Sequence, residues 1–167
     1  EVVRARGVDD VRAVFDRARR TGLSVGLRGA GFSYGDAALN AGGIVLDLSG
    51  MRRVLAFDPE SGVVTAEPGV TIEDLWRLGL PHGLWPPVVP GTMFPTLGGC
   101  LGMNIHGKNN WKVGTIGEHV SSFTLLTSTG EELTCDRATN ADVFRAAIGG
   151  FGMLGCITRI TLTLKRV

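Results

Sequence analysis

The 167-residue sequence sets 17 Lys and Arg against 16 Asp and Glu, a net charge of +1, with no long run of either sign. That argues against a nucleic-acid or anionic-lipid partner, which needs a basic face, and no uncharged apolar run approaches the roughly 18 residues of a membrane span. The length suits one domain, or two small lobes, with a real core.

Glycine is in excess at 25 residues but follows no period, so collagen and repeat arrays are excluded and the excess belongs to a few loops. Cys100, Cys135 and Cys156 are odd in number, widely spaced and without C-x-x-C, which reads as reduced thiols rather than a disulfide frame or metal site. Glu1 is not an initiator methionine, so the sequence is expected to lack its natural start. The expected compartment is the cytoplasm.

Along the chain, Asp9 or Asp10 is predicted to cap a helix running to about residue 20, with Val11, Val14, Phe15 and Ala18 on one face and Gly22 as its stop. A short strand over 24–27 runs into RGAGFSYGD at 28–36, and a second strand covers 43–48. In the loop between them, Gly29, Gly31 and Gly35 allow consecutive N–H groups to converge into an anion-binding nest, with Ser33 adding a hydroxyl. A tight turn is the competing reading of that loop. Its G-x-G-x-x-x-G spacing and the strand that follows do not fit a Rossmann nicotinamide site.

Residues 52–57 and 62–67 read as a hairpin around Asp58-Pro59-Glu60-Ser61. Thr71 is predicted to cap a helix with Glu73 and Asp74 in its first turn and Leu75, Trp76 and Leu78 on its apolar face. Trp76 is read as core rather than as a cofactor stack. A strand over 120–127 turns at Thr129-Gly130 into 132–135; Asn140 is predicted to cap a helix presenting Val143, Phe144, Ala147 and Ile148. Gly149, Gly150, Gly152 and Gly155 punctuate a turn into a half-buried strand over 156–164. Mixed helices and antiparallel strands make the fold class α+β, with an N-terminal lobe over about 1–70 and a second over about 71–167.

The organising stretch is 90–117, PGTMFPTLGGCLGMNIHGKNNWKVGTIG, dense in glycine and nearly free of charge. Thr96 is predicted to cap a short helix over 97–103, leaving the N–H groups of Leu97, Gly98 and Gly99 free for an anion or polarised carbonyl. Within the stretch, GMNIHGKN at 102–109 imitates a P-loop but ends in Asn109 where Ser or Thr must hold Mg²⁺, and neither a strand nor a good helix flanks it. His106 reads as a structural histidine or a ligand contact, Lys108 as a solvated lysine or a substrate-side cation. His82 and His119 read as surface or packing residues, and Trp111 as a lid or loop packing.

Taken in order, RGAGFSYGD, PGT with TLGG at 90–99, NIHGKN at 104–109, VGTIGEHV at 113–120 and GGFGMLGCIT at 149–158 resemble the PCMH-type FAD-binding domain of the vanillyl-alcohol oxidase and p-cresol methylhydroxylase family, over the whole chain. The wording is most similar to its branch acting on polyprenyl-phospho-sugars; sugar-lactone oxidoreductases and a sterol reductase are more distant. The resemblance implies a two-lobed α+β flavin domain, followed in the same polypeptide by a C-terminal substrate domain that this sequence does not contain. It implies that Arg28, Gly29, Ala30, Gly31, Phe32 and Ser33, with Tyr34, Gly35 and Asp36 nearby, hold the FAD diphosphate. Gly91, Thr96, Leu97, Gly98 and Gly99 would approach the diphosphate or flavin ring, Asn104, Ile105 and His106 would run beside the flavin, and Ile157 would lie near the adenine. Many relatives attach flavin covalently through a His where this chain has Phe32, or a Cys where it has Phe94, so non-covalent FAD is expected. The expected reaction is oxidation of a C–OH group of a small molecule by hydride transfer to flavin N5, with no convincing base in this chain. A C=C reductase on the same cradle and a non-catalytic flavin-binding module are the alternatives.

Overall fold

Two sheets of opposite character divide the chain in a computed structural model that describes all 167 residues. The first contains β1 (Val2–Arg4), β2 (Val25–Arg28) and β3 (Ile44–Asp47), all parallel, in the order β1-β3-β2. Between β1 and β2 lies α1 (Val8–Thr21), whose Val11, Val14, Phe15 and Ala18 pack with Ile44, Leu46 and Met51. The helix begins after an extended Gly7 with no side-chain cap, so Asp9 and Asp10 sit in its first turn instead of capping it. There they favour the dipole, and Asp10 accepts the Arg6 N–H at 2.7 Å. Gly22, at φ 68°, closes the other end as predicted.

The connection from β2 to β3 determines where the site lies. Parallel neighbours need a crossover, usually helical; here residues 29–43 make it without a helix or strand. The loop therefore keeps its main-chain groups outside any ladder, at the carboxyl end of β2.

The second sheet is five-stranded and antiparallel, built from β4 (Val54–Phe57), β5 (Val63–Ala66), β7 (Val120–Leu126), β8 (Glu132–Asp136) and β9 (Cys156–Thr163) in the order β4-β5-β9-β7-β8. The predicted hairpin is β4 and β5. Because β5 pairs with β9, both strands belong to this sheet, and the change from one sheet to the other falls between Asp47 and Val54. β9 is buried more deeply than expected because it occupies the sheet centre.

Helices cover one face of this sheet. In α2 (Ile72–Gly79), Thr71 and Asp74 form the reciprocal capping box, and Leu75 is fully buried. Trp76 is half-buried, not core: it stacks on Trp85 of β6 (Leu84–Trp85) at 5.9 Å. Next come α3 (Leu97–Gly102), the single turn α4 (Asn110–Val113) and α5 (Ala141–Ala147), whose Phe144 stacks on Phe123 at 5.1 Å. Asn140 does not cap α5 through its side chain; it sits at φ 48° and donates to the Thr134 carbonyl at 2.8 Å. A final short strand, β10 (Lys165–Arg166), pairs with β6. The fold is α+β as expected, its larger core running from Val64 and Leu75 through Leu97 and Leu101 to Phe123 and Ile160.

Candidate functional site

Between the two lobes lies a cleft of about 510 Å³. One wall is the crossover loop. No backbone N–H from Gly29 to Asp36 donates to a protein acceptor, although Gly31 and Gly35 adopt φ 75° and 63° as a nest requires. Arg28, Gly29, Ala30, Gly31, Phe32, Ser33 and Tyr34 all line the cleft, and so do Ala37 and Ala38. Gly35 and Asp36 lie beyond it.

The facing wall is the start of α3, and it departs from the expectation. Leu97 donates to the Val70 carbonyl at 2.6 Å and Gly98 to that of Pro68 at 2.8 Å, so only the Gly99 N–H of the three is free. The segment after β5 runs alongside and takes the other two. Thr96 makes no side-chain cap. Its hydroxyl is buried without a hydrogen-bond partner, although the residue is only 3% exposed and lines the cleft. A Cβ on Gly29 would collide with that oxygen, so glycine at 29 is what lets the loop and the hydroxyl share the space.

Gly91, Thr96, Gly98, Gly99, Ile105 and Ile157 therefore join the loop residues in one cleft. Leu97 does not: it is fully buried in the core. Asn104, at φ 44°, is not among the lining residues and accepts the Gly117 N–H at 3.1 Å through its Oδ1. His106 is exposed and bridges to Thr115, and neither it nor the exposed Lys108 lines the cleft. His82 is exposed, edge-on to Phe57 at 5.5 Å, and His119 bonds the Val113 carbonyl at 2.9 Å. Trp111, 85% exposed, packs into no loop.

The wall missed in the sequence is the loop 149–155, read there as turn punctuation. Phe151, Gly152 and Gly155 line the cleft, and Phe151 holds φ 56°, a conformation a bulky residue rarely takes. The loop is tied to α3 by Gly149 N–H to Leu101 O at 3.0 Å and Phe151 N–H to Gly102 O at 3.0 Å. Its crowding of glycines was the available signal. Leu27, Leu48, Pro68 and Pro95 also contribute apolar lining, for which residue type alone gives no sign.

Arg28 is the only residue with a charged side chain in the lining; no Asp, Glu, Lys or His reaches it. Cys100 lines it as well, but burial pushes its thiol up to about 12, leaving it protonated at neutral pH. All three cysteines are free and buried.

An α+β domain whose interlobe cleft has apolar walls, free main-chain donors and one cation is a domain for a dinucleotide-type cofactor. The chain belongs to the FAD-binding domain family, whose model matches residues 1–136. It is 43% identical to decaprenylphosphoryl-beta-D-ribose oxidase of Mycolicibacterium smegmatis over 92% of this chain and 34% of that protein. It is 36% identical to L-gulonolactone oxidase of Bos taurus over 93% of this chain and 35% of that protein, and 30% identical to D-lactate dehydrogenase of Anaerostipes hadrus over 96% and 35%. The chain thus spans about a third of the length of these relatives. Its cofactor is FAD, in agreement with the PCMH-type motifs. No helix is long and apolar enough to cross a membrane.

Proposed function

We propose that this chain is the flavin-holding part of an oxidoreductase that oxidises a C–OH group of a small molecule, a sugar or polyprenyl-phospho-sugar, and that its FAD is held without a covalent link. The observation that carries the proposal is one cleft combining a row of unpaired N–H groups with a buried, unpartnered Thr96 hydroxyl, in a chain of the FAD-binding family. Buried polar atoms without partners are uncommon in a finished fold and point to a ligand. The cradle fits FAD on this count: glycine at 29 leaves room for the Thr96 hydroxyl beside the loop's free N–H groups, so both belong to one cleft.

The residues divide the work. Gly29 to Tyr34 and the Gly99 N–H address the diphosphate, Thr96 donates a hydrogen bond beside them, and Leu27, Leu48 and Ile157 give apolar surface to the rings. When bound, FAD supplies the hydride acceptor. Phe32 and Phe94, the two positions where relatives carry attachment residues, stack on each other at 6.0 Å and offer no nucleophile. Cys100, the one thiol in the lining, stays protonated. The substrate wall and the proton acceptor are proposed to belong to a C-terminal domain of the same polypeptide, in keeping with the third of its relatives that this chain matches.

Denaturing the purified full-length protein with acid or heat tests the flavin link: intact FAD in the filtrate supports it, and flavin comigrating with the protein overturns it. Anaerobic mixing with sugars, lactols and 2-hydroxy acids tests the reaction. Bleaching of the flavin supports C–OH oxidation, whereas reduced protein reoxidised by an enone and inert to every alcohol overturns it.

A further inference from the structure

An apolar strip crosses the surface from the C-terminal strand to the mouth of the cleft. Its outer end is the Trp85 indole of β6, stacked on Trp76 of α2 at 5.9 Å. Trp76 Nε1 donates to Met93 Sδ at 3.3 Å, Phe94 comes next in the chain, and the Phe94 ring stacks on Phe32, which lines the cleft. Met93, Phe94 and Phe32 are exposed, and both indoles are half-buried. The strip has a fixed base. Ile72 N–H donates to the Pro95 carbonyl at 3.1 Å and Glu73 N–H to that of Met93 at 2.8 Å, so the segment carrying Met93 and Phe94 is tied to the first turn of α2. Charge enters at the edge, where Arg77 lies over the Trp76 ring at 4.8 Å and pairs with Glu73. Aromatic and methionine side chains with an arginine at the margin, on backbone held in place, are the make-up of a protein interface.

The position of Val167 points to the occupant. β10 runs antiparallel to β6 with Lys165 opposite Trp85, and the Val167 N–H donates to the Gly83 carbonyl at 3.0 Å, so this residue is pinned beside the outer end of the strip. The chain spans about a third of the length of its relatives, and the function proposed above places a substrate domain after Val167. We propose that the strip is the seat of that C-terminal domain, with Trp76 and Trp85 as its anchor and Phe94 and Phe32 as the contact that brings the substrate wall against the cleft. This rests on the reading that such a domain follows in the same polypeptide, and adds which face of the flavin domain it covers. A tethered partner that starts beside Trp85 meets the strip at high effective concentration, so a modest apolar area suffices to hold it. A second copy of the protein lacks that advantage.

The test uses the full-length protein in two variants. In Met93→Cys, maleimide labelling is read peptide by peptide, native and after unfolding. A side chain 38% exposed, as Met93 is here, would be slowed only a few-fold by folding if nothing covered it; with the strip covered, labelling is expected to slow by roughly tenfold or more. In Trp85→p-benzoylphenylalanine, irradiation is expected to form cross-links to residues beyond 167 of the same chain. Labelling slowed less than about tenfold, or cross-links confined to residues 1–167, means an open strip and overturns the proposal while leaving the two-domain reading standing. Protection lost on dilution, with cross-links between separate chains, means that a second copy covers the strip and also overturns it. A full-length polypeptide that ends near Val167 overturns the two-domain reading and this proposal with it.

Discussion

Two glycine-rich segments face each other across the cleft, and they use glycine for different ends. In residues 29–36 the small residues open a path for the chain, and the N–H groups along it stay unpaired. At the start of α3 the same kind of sequence brings two backbones together: Gly98 lies where a Cβ would meet Pro68 Cβ at 2.6 Å, and the helix's first donors are taken by Val70 and Pro68. Glycine marks close approach, but whether a ligand or another strand of the same chain makes the approach depends on what lies opposite. Only the first segment is a donor array; the second is mostly packing, with the Gly99 N–H and Thr96 hydroxyl as its share of the site.

Substitutions can break this contrast. Gly29→Ala drives a methyl into the Thr96 hydroxyl and is expected to weaken FAD binding by roughly a hundredfold, about 3 kcal/mol, with a smaller change in urea midpoint. Gly98→Ala should do the reverse, costing about 1–3 kcal/mol of unfolding free energy because Pro68 cannot yield easily. If both variants lost binding and stability in the same proportion, the division between array and packing would be wrong. A sharper variant is Thr96→Val. The hydroxyl has no partner to lose, so stability should move by less than about 0.5 kcal/mol while FAD affinity falls about tenfold in calorimetric titration.

Asp47, beneath the loop, tests the scaffold alone. Burial by itself would raise its carboxyl, but the Ser49 and Arg4 hydrogen bonds outweigh that and hold it below the ordinary value of 3.8. A depressed folded value contributes stability above the ordinary value, and loses it as the pH falls through the folded one. Asp47→Asn is expected to cost about 1 kcal/mol at neutral pH, since Arg4 is largely exposed, and the difference from wild type should fade below about pH 3.8. Denaturation curves at both pH values measure it. The smallest effect is expected at the thiols. Cys100 and Cys156, pushed up to about 12 by burial, should resist a disulfide reagent at pH 8 in native protein and react only after unfolding. Rapid native labelling of Cys100 would show that the cleft wall opens.

What was legible in advance was mainly local. The apolar face and glycine stop of α1, the β4–β5 hairpin and the capping box at Thr71 each depend on residues within a few positions of one another. The misreadings share the opposite property. Leu97 looked like a free donor but meets Val70, which lies far back along the chain. The 149–155 loop was taken for a turn because its attachment to α3 joins segments nearly fifty residues apart.

The amino-acid order by itself determined the α+β class, the positions of the glycine clusters and membership of a flavin-binding family. Those follow from periodicity, backbone permissiveness and motif order, all properties of the chain read in line. Only the tertiary structure decided which main-chain donors remain free and which hydroxyl is buried without a partner. The reason is that a polar group's availability depends on the absence of competing partners, and those competitors come from strands and loops far away along the chain.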